Sequence, residues 1–170
     1  METKTDLEKQ LTKVFENFIS EFNKVSPELV NAEQKPGSWT IGQLAQHIIL
    51  ATAGIPDGKN KQSDRPADQL EPSIRETFLD YTRKFEAQEF ITPEKKNYDK
   101  EALQSKLKNN QELLLQIIKG KELDYLCLDM ELPGWKYLTR YEWIKLIIYH
   151  VERHIKQLKR LKIDSVIVSS

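Results

Sequence analysis

Residues 139–162 read TRYEWIKLIIYHVERHIKQLKRLK, and this stretch decides the fold. Ile144, Ile147, Ile148, Val151, Ile155, Leu158 and Leu161 recur at intervals of three and four, the spacing that lines one face of an α-helix. The start is equally well marked. Thr139 stands where an N-cap belongs, Glu142 three residues on completes a capping box, and Leu138 can staple against Trp143. The spacing predicts a long helix to about Lys162. Two polar residues share its apolar stripe: His150 follows Ile147 by three, and His154 follows Val151 by three.

The same grammar recurs upstream. Trp39-Thr40-Ile41-Gly42-Gln43-Leu44 repeats the cap, the box and the staple, and opens a second helix whose inward stripe is Leu44, His47, Ile48 and Ala51. A first helix over about Thr5 to Val25 carries Leu7, Leu11, Val14, Phe15, Phe18, Ile19, Phe22 and Val25, and Ser26-Pro27 stops it. Ile74, Phe78, Tyr81 and Phe85 predict a third helix over about Ser73 to Gln88. Leu103, Leu107, Leu114, Ile117 and Ile118 predict another over about Lys100 to Lys119, with Gly120 as its C-terminal cap. Between the second and third helices, Gly54 to Pro72 is rich in Gly, Pro, Asp, Lys and Ser and reads as a long mobile loop of the kind that often covers a site. Cys127 to Leu138 reads as irregular, and the tail IDSVIVSS as loose or packed on an edge. An all-α fold follows, with a four-helix bundle as its architecture and one domain spanning 1–170.

Composition narrows the function. The 170 residues are 39% hydrophobic and 31% charged, enough for one buried core. Lys and Arg number 26 against 26 Asp and Glu, so the basic excess that drives phosphate binding is missing and nucleic-acid binding is not expected. The basic run Arg153, Lys156, Lys159, Arg160 and Lys162 reads as a solvated helix face. No apolar stretch approaches a membrane span and no leader precedes the first helix, so the expected setting is soluble and cytoplasmic. One cysteine, Cys127, excludes an intramolecular disulfide and reads as a small buried hydrophobe. Gly-rich phosphate loops, nucleophile elbows and paired cysteines are absent from the sequence.

That leaves the histidines. The chain has three, His47, His150 and His154. Residues four apart on a helix hold their Cβ atoms about 5–6 Å apart, so His150 and His154 can aim both imidazoles at one point. With His47 on a neighbouring helix, three neutral imidazoles could converge and leave a coordination position free, the pattern of a catalytic metal site. All-nitrogen ligation suits zinc, nickel, copper or iron. Hydrogen-bonded core histidines remain the other reading of the same residues. A zinc-protease motif is excluded by geometry: Val151 follows the first histidine, and Glu152 lies about 200° round the helix from His150.

The combination of P-G-S-W-T-I-G-Q-L-A-Q-H, Pro36 to His47, with H-V-E-R-H-I-K-Q-L, His150 to Leu158, resembles the DinB/YfiT-like superfamily. The resemblance covers the second and last helices and their lead-ins. It implies a four-helix bundle in which His47, His150 and His154 hold a divalent metal, zinc or nickel. Characterised branches are thiol-dependent transferases and isomerases that use bacillithiol or mycothiol, so the resemblance also implies a small-molecule substrate, a low-molecular-weight thiol as co-substrate and a homodimer. Arg153 and Gln157 match the family pattern; both read as lying off the histidine face, where they could pin the helix to its neighbours or to a second subunit. The alternative is a bundle that binds a ligand or partner without catalysis and without a functional metal.

Overall fold

The computed structural model describes residues 1–169, and no side chain beyond 165 is described. Six α-helices account for most of it: α1 (Lys4–Asn23), α2 (Pro27–Val30), α3 (Ile41–Ala51), α4 (Glu71–Leu79), α5 (Lys100–Gly120) and α6 (Arg140–Ser169). A 3₁₀ turn, Glu89–Ile91, lies between α4 and α5, and two short strands, β1 (Asn60–Gln62) and β2 (Tyr125–Cys127), complete the order. Among the described residues, no helix is long and apolar enough to cross a membrane.

Four helices form the bundle. α1 packs on α5 and α6, and α3 packs on the same two, so the ring runs α1, α6, α3, α5. Its core is the stripe expected of each helix: Leu7, Leu11, Phe15, Phe18 and Phe22 from α1, Leu44 and Ile48 from α3, Leu107 and Leu114 from α5, and Ile144 and Val151 from α6, all fully enclosed. The caps are real. Thr3 Oγ1 accepts from Asp6 N, Asp99 from Ala102 N, and both capping boxes close, Thr40 with Gln43 and Thr139 with Glu142. Gly42 lets α3 approach α2: a Cβ there would sit 2.9 Å from Asn31 Oδ1 and 3.1 Å from the Val30 carbonyl.

Three expectations need correction. The helix predicted over 73–88 instead runs over Glu71–Leu79, starting two residues earlier and ending nine sooner. Asp80 stops it: its carboxylate accepts from Thr82 N at 3.0 Å and Thr82 Oγ1 at 2.6 Å, a local turn that competes with the helical bonds. Arg153 collects the freed carbonyls of Phe78 and Asp80 at 3.1 and 2.9 Å, and Tyr81 and Phe85 are left exposed rather than on an inward stripe. So α4 is a short helix laid on the outside of α6.

Residues 54–72 are not a loose loop. β1 pairs antiparallel with β2, Asn60 opposite Cys127 and Gln62 opposite Tyr125. On either side of that pairing, polar side chains tie the segment to the start of α6 and the end of α5. Asp57 holds Arg140 at 2.9 Å and Lys121 at 2.5 Å, and Arg65 forks onto the fully buried carboxylate of Glu142 with both bonds at 2.7 Å. Polar composition is a correct sign of non-helical chain but does not reveal this pairing and anchoring, because strands of three residues show no period. Finally, the last helix, expected to end near Lys162, continues: α6 runs through Ser169, with Ser165 buried. What the last side chains, 166–170, contact lies outside the described residues.

Candidate metal centre

The two capping boxes set the site. Each fixes the start of a helix in register, and the faces of α3 and α6 that meet across the bundle carry His47 on one side and His150 and His154 on the other. Their imidazoles meet as expected. His47 Nε2 lies 3.1 Å from His150 Nε2 and 3.2 Å from His154 Nε2, and the latter two are 2.9 Å apart. Three nitrogens on a tetrahedral zinc at about 2.05 Å would stand about 3.3 Å apart. The observed triangle is therefore close to what one ion needs, and the three residues form a group that could hold one.

The outer hydrogen bonds decide what the inner nitrogens can do. His47 Nδ1 is 2.7 Å from the Ile91 carbonyl, which can only accept, so the proton of that ring sits on Nδ1. His154 Nδ1 is 2.7 Å from Gln157 Oε1, an acceptor as well, and its proton is also on Nδ1. Both Nε2 atoms then present lone pairs to each other across 3.2 Å. A single proton on His150 Nε2 cannot bridge both gaps, so one acceptor–acceptor contact persists. A cation at the centre satisfies all three at once, which is the arrangement of imidazole ligands oriented by a second layer of acceptors.

Electrostatics agree. Burial pushes each imidazole down in pKa: His154 to about 3, His150 well below the ordinary range, and His47 in the same direction against the pull of the Ile91 bond. The neighbouring imidazoles and the Arg153 guanidinium add to the effect on His150. All three are thus neutral imidazoles near pH 7. His47 and His150 are nearly enclosed, at 2% and 9% exposure, while His154 stands at the more open side.

Aromatic rings close two flanks. Trp39, expected to staple against Leu44, tilts its ring onto His47 at 5.0 Å. Phe78 tilts onto His150 at 5.5 Å and is itself stacked between Phe85 and Trp135. Arg153 fixes this wall by binding the carbonyls at the end of α4 and lying over Phe85. It therefore does pin α6 to its neighbour and does not belong to a solvated basic face. Gln157 needs the opposite correction. At 100° per residue it lies about 60° from His154 and about 20° from His150, which puts it on the histidine face and against His154. The lid expectation also moves: the chain that crosses the site is 80–99, through Ile91 on His47 and Lys95 O on Gln43, and not 54–72.

The sequence could not show Ile91, whose contribution is a carbonyl, nor Phe78 as a wall, which depends on where α4 stops. Cys127 is fully buried 3.9 Å from Asp57, and burial together with that carboxylate pushes its thiol up to about 12, so it is no nucleophile.

No curated protein and no solved structure gives a significant match to the chain. A family model described as the DinB superfamily does match, over residues 10–158, a span that holds all three histidines and both capped helix starts. With that span covering most of the bundle, the chain belongs to the DinB superfamily.

Proposed function

We propose that the protein is a metal-dependent enzyme that joins a small thiol to an electrophilic substrate, with His47, His150 and His154 holding a divalent zinc or nickel ion. The observation that carries the reading is the unsatisfied contact between His47 Nε2 and His154 Nε2, two lone pairs held 3.2 Å apart by bonds on the far side of each ring. The ion would supply the Lewis acidity that makes a thiol nucleophilic near neutral pH.

What the chain itself does favours an anion at that position. Its three ligands are neutral, and among the described residues no carboxylate hydrogen-bonds any of them. An ion held by these three neutral imidazoles would keep its charge for a thiolate to neutralise, and Arg153 adds to the local positive potential. Trp39 and Phe78 restrict water on the flanks of His47 and His150, which leaves the His154 side for the substrate.

The test is elemental analysis of untagged protein purified without chelators or nickel resin, beside the His150→Ala/His154→Ala variant. About one equivalent of a transition metal in the wild type and none in the variant supports the reading and leads to assays of thiol consumption against a reactive electrophile. Metal-free wild type that takes up neither zinc nor nickel on reconstitution overturns it.

A further inference from the structure

We propose that Gln157 is a positioning residue: by accepting the Nδ1 proton of His154, it decides which nitrogen of that imidazole faces the centre. The inference rests on the metal reading of the site and adds to it how the site is kept open to a cation.

A neutral imidazole carries one proton, on Nδ1 or Nε2, and the hydrogen bond made by one nitrogen sets the state of the other. In water the Nε2–H form of histidine is the favoured one. If His154 took that form, its Nε2–H would face the other two rings, His150 Nε2 at 2.9 Å and His47 Nε2 at 3.2 Å, and the lone pair of the latter is fixed there by the Ile91 bond. The result would be an ordinary hydrogen bond between two ligands, a satisfied pair that an ion would first have to break. Gln157 prevents this. Its Oε1 lies 2.7 Å from His154 Nδ1, and an amide oxygen can only accept, so the proton is drawn to the outer nitrogen and Nε2 is left as a lone pair.

The position suits the task. Gln157 is three residues from His154 on the same helix, so its reach is set by the helix and not by a loop. Among the described residues it is the one side chain, apart from the histidines themselves, that hydrogen-bonds any of the three. His47 is held by backbone, which substitution does not remove. Gln157 is half-buried, so its replacement opens no core cavity and the variants are expected to fold.

The variants are Gln157→Met, close in volume with no acceptor, and Gln157→Glu, an acceptor only. Two readouts are taken on the same samples. The first is the tautomer of His154 in metal-free protein, read from long-range proton–nitrogen correlations with labelled histidine. The second is the dissociation constant for Co(II), measured by competition with a chromophoric chelator. Wild type and Gln157→Glu are expected to hold His154 as Nδ1–H. Gln157→Met is expected to shift it toward Nε2–H and to weaken Co(II) about 10–100-fold, with Gln157→Glu restoring the affinity. An Nε2–H form in the wild type, or a Gln157→Met protein with unchanged tautomer or unchanged affinity, overturns the proposal. Wild type that binds no Co(II) while the tautomers behave as expected refutes the metal reading and leaves the positioning role standing.

Discussion

Glu142→Gln tests how firmly the segment before α4 is bound to the bundle. The carboxylate is fully buried and each of its oxygens accepts twice: Oε1 from Arg65 Nη1 at 2.7 Å and Leu70 N at 2.8 Å, Oε2 from Arg65 Nη2 at 2.7 Å and Thr139 N at 2.9 Å. Glutamine keeps the volume and one acceptor. Whichever way its amide turns, the NH₂ group faces two donors, and the Arg65 charge loses its counter-ion. Breaking a buried pair costs about 3–5 kcal/mol. Arg65 retains a fifth of its side-chain surface in water and a bond to the Tyr137 carbonyl, which places the loss near the lower end, about 3 kcal/mol. For a chain of this size that corresponds to a drop of about 6–12 °C in melting temperature. Urea unfolding of wild type, Glu142→Gln, Arg65→Met and the double variant gives the coupling between the two. The double variant is expected to lose little more than either single, a coupling of about 2–3 kcal/mol. A loss below about 1 kcal/mol, or full additivity, would refute the reasoning.

Metal-free protein is expected to weaken in acid. His154 titrates near 3 in the fold against 6.5 outside it, so below 6.5 the unfolded chain binds more protons and stability falls as pH drops toward 3. For His154 alone this is about 2 kcal/mol at pH 5; urea midpoints at pH 7 and 5 measure it, and an equal slope in the His150→Ala/His154→Ala variant contradicts the assignment. Cys127 is expected to resist iodoacetamide at pH 8 until urea is added, since its thiol is buried and raised to about 12; stoichiometric alkylation of the native protein within minutes contradicts this. Gly42→Ala gains about 1 kcal/mol of helix propensity but drives a methyl to 2.9 Å from Asn31 Oδ1, so a net loss of about 1 kcal/mol is expected in denaturant titration. A net gain would mean that α2 yields freely.

Much of the fold was legible because it rests on period and caps. The stripes of α1, α3, α5 and α6 and both capping boxes read directly, since an apolar face repeated over three turns or more has few alternative meanings. The histidines were legible for the same reason: they sit in the stripes. Failure came where a short-range competitor outweighs the pattern. Phe78, Tyr81 and Phe85 keep helical spacing past the point where the Asp80 turn and the Arg153 guanidinium end the helix. Residues 54–72 look solvated because the groups that anchor them, Asp57 and Arg65, are charged, and their partners lie about 60 to 80 residues away in the chain. Gln157 shares the histidine face because it stands seven residues, close to two full turns, from His150.

The bond from His47 to the Ile91 carbonyl has an evolutionary consequence. Every amino acid supplies the same carbonyl, so natural selection can hold the orientation of this imidazole without holding the identity of residue 91. Related chains are then free to differ over 89–91 while keeping the imidazole in place, and an alignment would mark the stretch as unimportant. Protein engineers inherit the same freedom: the side chains of 89–91 can be rewritten without releasing His47, provided the turn that presents the carbonyl survives.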